Sequence, residues 1–139
     1  NVFDEVVVAV AHNPEKQPLF TVRERVALLK QATRDLRGVV VDAFDGLVVD
    51  YVRRKRAKVI IRGLRMLSDF EYEFQMALTN RKLAGEVETI FMMPKDSYAY
   101  LSARLIKEAT ALGADVSAFV PAVVETALKR KLAGRGRRR

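Results

Sequence analysis

The chain has 139 residues, 25 lysines and arginines against 17 aspartates and glutamates, one histidine and no cysteine, for a formal charge of +8. That length accommodates one domain around one core, and half of the residues are apolar, which excludes a chain held open by charge. The apolar runs are too short to cross a bilayer, and without cysteine neither a disulfide framework nor a thiolate metal site is available, as suits a reducing cytoplasm.

The charge is unevenly spread. Seven cations and no acid lie from Lys129 onward, so residues 1–128 carry 18 cations against 17 acids, a balance of +1. The tail, ending Gly134-Arg135-Gly136-Arg137-Arg138-Arg139, reads as a solvated, disordered end or as a non-specific phosphate-binding arm.

In chain order, strand and helix patterns alternate. The valine-rich run over 6–11 predicts a strand buried on both faces. A loop with Asn13-Pro14 and Pro18 follows, then Thr21-Val22-Arg23-Glu24, a capping box opening a helix to about Leu36 with Val22, Val26, Leu29 and Ala32 as its apolar stripe. A strand over 39–41 and a helix over 47–55 make the second unit. The third is a strand over 59–61, a loop through Gly63 and a helix opened by a second capping box, Ser68-Asp69-Phe70-Glu71. This helix carries Phe70, Phe74, Ala77 and Leu78 and runs to about Leu83. The fourth is a strand over 89–92, a loop across Pro94 to Leu101, and a helix over about 102–112 stopped by Gly113. Pro121 opens a last helix ending near Leu132. Four β-then-α units imply an α/β protein: a Rossmann-like open parallel sheet with helices on both faces. Residues 1–132 are expected to form one domain and 133–139 a basic disordered tail. There is no initiator methionine, and Asn1-Val2-Phe3 reads as the end of a helix, so a segment is expected upstream.

Open parallel sheets bind ligands outside the carboxyl ends of their strands. Those loops hold Lys16, then Arg62 and Arg65 around Gly63, then Lys95, Tyr98, Ser102, Arg104 and Lys107. Cations from three loops converging near a helix N-terminus suit a phosphorylated ligand, a polyphosphate above all. Each feature also has a plain structural reading. Lys16 alone is a solvated loop lysine or a phosphate contact, whereas Gly63 between two arginines permits close backbone approach to a ligand. The Arg53, Arg54, Lys55, Arg56 and Lys58 cluster at a helix end reads as a solvated face. Glu71 is accounted for by its capping box, and Glu73 remains as a hydroxyl or metal contact. His12, a single histidine, reads as packing or surface, and a transition-metal site is not expected. Neither a G-x-x-x-x-G-K-[ST] loop nor a G-x-G-x-x-G fingerprint occurs.

Arg62-Gly63-Leu64-Arg65, followed by Asp69-Phe70-Glu71-Tyr72-Glu73 and Asn80-Arg81, closely resembles the bacterial phosphopantetheine adenylyltransferases, and the likeness extends from Phe3-Asp4 through Asn13-Pro14, Phe20-Thr21, Glu24-Arg25 and Leu47-Val48 to about Leu132. The resemblance implies adenylyl transfer from ATP to 4′-phosphopantetheine, giving dephospho-CoA and pyrophosphate with Mg²⁺, in a cytoplasmic homohexamer of the nucleotidyltransferase fold. Carried over by position, Lys16 and Arg62 contact the phosphate of phosphopantetheine and the Val48 backbone contacts its arm. Gly63, Leu64 and Arg65 form the ATP-binding turn and Glu73 contacts the ribose. Tyr98, Ala99, Tyr100, Leu101, Ser102, Ala103 and Arg104 match the loop and helix start that cradle the ATP phosphates. Two departures stand out. The family's first strand, loop and helix, with a G-[ST]-F-D-P stretch and a G-H pair that supply its central catalytic groups, has no counterpart here. The resemblance makes the missing strand central in the sheet, so the expectation is a fragment with a gap in its core, inactive as given and with no catalytic residue of its own. Ala103 and Arg104 also stand where the family usually has serines. The alternative expectation is a non-catalytic nucleic-acid-binding module using the basic tail and the Arg53 to Lys58 cluster, with no aromatic residues in the tail to stack bases.

Overall fold

A computed structural model describes residues 2–13, 17–65 and 67–133, with the backbone alone at Leu67 and Ser68. Ten elements follow in order: β1 (Val6–Ala11), α1 (Val22–Ala32), β2 (Val39–Phe44), α2 (Val48–Arg54), β3 (Val59–Gly63), α3 (Leu67–Leu83), β4 (Glu88–Met92), α4 (Asp96–Ala99), α5 (Ala103–Ala111) and α6 (Ala122–Ala133). The alternation is that of an α/β protein with parallel strands, as expected. The strands do not form one sheet, however. Among the described residues β1 pairs with β2 and β3 with β4, as two separate two-stranded parallel sheets. The chain likewise divides into two compact units, Asn1–Asp45 with Leu101–Arg139, and Gly46–Tyr100.

In the first unit, Val6 is in register with Val39 and Ala11 with Phe44. α1 is the crossover and packs on both strands, and α6 packs on α1 and α5. The capping box forms as the sequence predicts: the Thr21 backbone N–H donates to Glu24 Oε2 at 2.7 Å, and the Glu24 N–H donates to Thr21 Oγ1 at 3.2 Å. The helix stops at Ala32 rather than near Leu36, because Thr33 takes the C-cap and returns its hydroxyl to the Leu29 carbonyl at 2.8 Å. The Gly113 stop is a Schellman motif. With φ +86° at Gly113, its N–H reaches the Thr110 carbonyl and the Ala114 N–H reaches that of Ala109, both at 3.0 Å. Burial departs from expectation. β1 is not covered on both faces: Val10 alone of its residues is buried, since in a two-stranded sheet every strand is an edge. The α1 stripe is likewise only partly covered, with no fully buried residue.

In the second unit, Val49, Val52, Ile60, Ala84 and Val87 form the core, with Val48 packed against it. β3 is longer than expected, so Arg62 and Gly63 are its last two residues rather than loop. Gly63 has ordinary backbone geometry there, with no positive φ of the kind that demands glycine. α3 begins at Leu67, which puts Ser68 inside the first turn instead of at the cap. Its buried face is also not the predicted one. Glu73, Asn80 and, just past its end, Ala84 are buried, whereas Phe70, Phe74 and Leu78 remain 44, 45 and 49 % exposed.

Candidate functional site

β3 and β4 are parallel with Gly63 opposite Met92, so their carboxyl ends share one edge. The Leu64 N–H extends the ladder by one bond, to the Met92 carbonyl at 3.0 Å. The chain between β3 and α3 is then tied at both ends to acids of α3. Arg62 Nε donates to Glu73 Oε2 at 2.7 Å and its Nη2 donates to Oε1, a two-pronged contact. Arg65 Nε lies 3.4 Å from Asp69 Oδ2. The hydrogen bonds from Arg62 to Glu73 are the main reason its guanidinium is held above its ordinary pKa, against partial burial acting the other way. The Arg62 side chain is 44 % exposed and that of Glu73 only 11 %. Arg62 thus presents its remaining donors outward from a carboxylate that fixes the fork.

The predicted binding residues of this unit therefore gather at one edge: Arg62, Gly63, Leu64, Arg65 and Glu73 around the β3–α3 connection. After β4 come Lys95, the exposed Tyr98 and Tyr100, and half-buried Ala99. Of the cations expected to converge, Arg62, Arg65 and Lys95 belong to this unit, Arg104 and Lys107 to the other, and Lys16 lies outside the described residues; the edge also carries an addition that the sequence reading did not contain. The two arginines arrive with their own carboxylates, so a bound anion would meet an edge of partly balanced charge. Lys95, at the start of α4, has no ion pair among the described residues. Val48 is the first residue of α2, packed on the core of this unit.

Residues 101–104 belong to the other unit. Ser102 is the N-cap of α5 but makes no side-chain cap bond, and the first turn carries no acid. The free N–H groups and positive end of this helix are therefore opposed by no carboxylate of its own. Ala103 opens the helix. Arg104 Nε is bound to Glu108 Oε1 at 2.9 Å and the side chain is largely in solvent. Lys16 lies outside the described residues, as does the tail over 134–139.

Three contacts escaped the sequence reading. His12, which follows β1, pairs through Nδ1 with Asp45 Oδ1 at 2.7 Å across the carboxyl ends of β1 and β2; the register of those strands, not any spacing, brings them together. Arg65 and Asp69 did carry a signal, since opposite charges four apart meet on one helical turn. Glu73 was singled out, but not as the partner of Arg62. Among the described residues no group of three or more His, Cys, Asp or Glu stands together, so they offer no protein cage for a metal ion. No helix among them is long and apolar enough to cross a membrane.

The sequence matches the cytidylyltransferase-like family over residues 1–109. It is 53 % identical over 131 residues to a phosphopantetheine adenylyltransferase of Caldanaerobacter subterraneus subsp. tengcongensis, covering 94 % of this chain and 82 % of that protein. It is equally identical over 130 residues, 94 % of this chain and 83 % of the relative, to the protein so named of Alkaliphilus metalliredigens. With that of Alkalilimnicola ehrlichii it shares 52 % identity over 137 residues, 97 % of this chain and 79 % of the relative. About half the aligned positions agree along nearly the whole chain: the chain belongs to the phosphopantetheine adenylyltransferase family, among the cytidylyltransferase-like proteins.

Proposed function

We propose that this chain carries out adenylyl transfer from ATP to 4′-phosphopantetheine, yielding dephospho-CoA and pyrophosphate in coenzyme A synthesis. The observation that carries the reading is the identity of 52–53 % to adenylyltransferases of that name over 94–97 % of the chain. The geometry at the carboxyl ends of β3 and β4 agrees with it, because a phosphate-bearing ligand needs fixed cations beside open backbone.

In the reaction, a phosphate oxygen of phosphopantetheine bonds to the α-phosphorus of ATP while the bond from that phosphorus to the bridging oxygen breaks, and pyrophosphate leaves with the electron pair. The protein needs no nucleophile of its own. Its work is to hold two phosphates in line and to offset the charge that builds on the transferred and leaving groups. On this reading Arg62, oriented by Glu73, turns its free donors to the phosphate of phosphopantetheine, and Lys16 joins it. The backbone at Val48 contacts the pantetheine arm. Gly63, Leu64 and Arg65 receive ATP, Glu73 meets the ribose, and residues 98–104 line its phosphates. Backbone N–H groups at the start of α5 replace the hydroxyl that Ala103 lacks. Mg²⁺ would enter with ATP and would offset charge on the phosphate oxygens that hold it. The enzyme is read as a cytoplasmic homo-oligomer, a hexamer by family resemblance.

The test is pyrophosphate release when ATP, Mg²⁺ and 4′-phosphopantetheine are mixed with the protein expressed from its whole coding region. Release that requires both substrates is expected; a folded protein that releases none refutes the assignment. Calorimetry then locates the nucleotide. Arg65→Ala is expected to weaken ATP binding more than Arg54→Ala, whose guanidinium instead stands over the Tyr51 ring at 5.8 Å. Equal effects would place ATP elsewhere.

A further inference from the structure

The chain leaving β1 is fastened at its first step. The His12 backbone N–H donates to the Phe44 carbonyl at 2.9 Å, one bond beyond the paired residues of β1 and β2. Arg25 of α1 donates through Nη1 to the Ala11 carbonyl at 3.4 Å. The His12 side chain adds a third tie, with Nδ1 2.7 Å from Asp45 Oδ1. An ionised carboxylate only accepts, so Nδ1 carries the proton and donates. His12 directly follows β1 and Asp45 directly follows β2, so the pair bridges the first residue beyond each strand, and all of these groups belong to the first unit. We propose that the His12–Asp45 pair is a positioning device for the acceptor substrate: it fixes the start of the β1–α1 connection, which carries Lys16, the residue that family resemblance assigns to the phosphate of 4′-phosphopantetheine.

The pair is poorly placed to serve stability. Its side chains are 54 % and 80 % exposed, and an ion pair or hydrogen bond so open to water contributes little to folding. Its place in the fold is better suited to binding, because the carboxyl ends of parallel strands are where such sheets receive ligands. At its other end the connection enters α1 through the Thr21 capping box, whose backbone N–H reaches Glu24 Oε2 at 2.7 Å. A connection fastened at both ends has fewer arrangements to lose when a ligand orders it, and that lowers the entropic cost of binding without a direct contact from the pair. His12 and Asp45 thus act through the connection and not on the reacting atoms.

The inference rests on the proposed function, and its test separates the two. On the protein expressed from its whole coding region, calorimetry measures the dissociation constant of 4′-phosphopantetheine, and pyrophosphate release measures turnover. His12→Ala and Asp45→Ala are each expected to raise the dissociation constant and the KM for 4′-phosphopantetheine about three- to fivefold, the scale of an exposed pair. The kcat and the KM for ATP should stay within about twofold of the parent, because a group that only positions a binding segment acts equally on ground state and transition state. The double variant should be no weaker than either single one, since all three remove the same bond. Asp45→Asn, whose amide oxygen still accepts from Nδ1, should stay close to the parent. Urea unfolding verifies that each variant is folded. Unchanged 4′-phosphopantetheine constants, losses that multiply in the double variant, or an equal loss for ATP overturn the positioning role and leave the reaction standing. A parent that binds 4′-phosphopantetheine yet releases no pyrophosphate overturns the reaction, while the binding constants still decide the role of the pair. A parent that binds none overturns both.

Discussion

Removing either partner of the Arg62–Glu73 pair breaks the same hydrogen bonds, yet the two substitutions are expected to differ in cost. What matters is the residue left behind. Arg62→Met strands the Glu73 carboxylate, whose side chain is 11 % exposed, with little water to replace the guanidinium. Breaking a fully buried pair costs about 3–5 kcal/mol; because Arg62 is 44 % exposed and water already screens that side, about 2 kcal/mol is expected here. Glu73→Gln leaves a half-exposed guanidinium that can turn to solvent and still meet an amide oxygen, so the loss is about 1 kcal/mol or less. The double variant has no stranded charge and should cost less than the sum of the two. Urea unfolding of the four proteins measures this as shifts of the midpoint at unchanged slope. A Glu73→Gln variant as destabilised as Arg62→Met would refute the reasoning, because the burial of the carboxylate would then not be what makes the contact matter.

Two further outcomes are expected. Gly113 and Gly38 both have positive φ, but a Cβ at Gly113 meets nothing within 4 Å, whereas one at Gly38 stands 2.5 Å from the Asp4 carbonyl oxygen. Gly113→Ala should therefore cost about 1 kcal/mol from backbone conformation alone, and Gly38→Ala about 3 kcal/mol in the same unfolding assay; equal costs would mean that the approach of Asp4 is freely relieved. The second concerns acid. Lys131 Nζ lies 2.6 Å from Glu24 Oε1, and this bond, followed by that from the Thr21 N–H, holds the Glu24 carboxyl down at about 2. In the unfolded chain glutamate protonates near pH 4.3, so the stabilisation is whole above about pH 5 and drains away as pH falls through the folded value. Unfolding midpoints of the parent and of Lys131→Met should accordingly be separated at neutral pH and converge toward pH 2; a gap independent of pH would sink the assignment.

Much of the local structure was legible because its causes lie within a few residues. The Thr21–Glu24 capping box, the Gly113 stop and the order of strands and helices each depend on neighbours that the sequence already places together. The strand ends were legible too, since a parallel α/β pattern says which end of each strand receives a ligand. Faces were harder. α3 has apolar residues on more than one side, so its periodicity announced a helix without saying which side meets the core, and the structure buries the side bearing Glu73 and Asn80. Strand pairing was similar. The valines of β1 predicted a strand covered on both faces, but coverage depends on how many strands stand alongside it, and here there is one.

Residue identities and their order by themselves determined the α/β alternation, the helix caps and the kinship with phosphopantetheine adenylyltransferases, because all three are written in short-range pattern or position-by-position identity. Tertiary structure alone decided that Arg62 rests on Glu73, eleven residues on, that Lys131 reaches Glu24 from 107 residues away, and that Phe70, Phe74 and Leu78 face outward. Such contacts form only when a strand end, a turn and a helix are placed in three dimensions, and no local propensity carries that information.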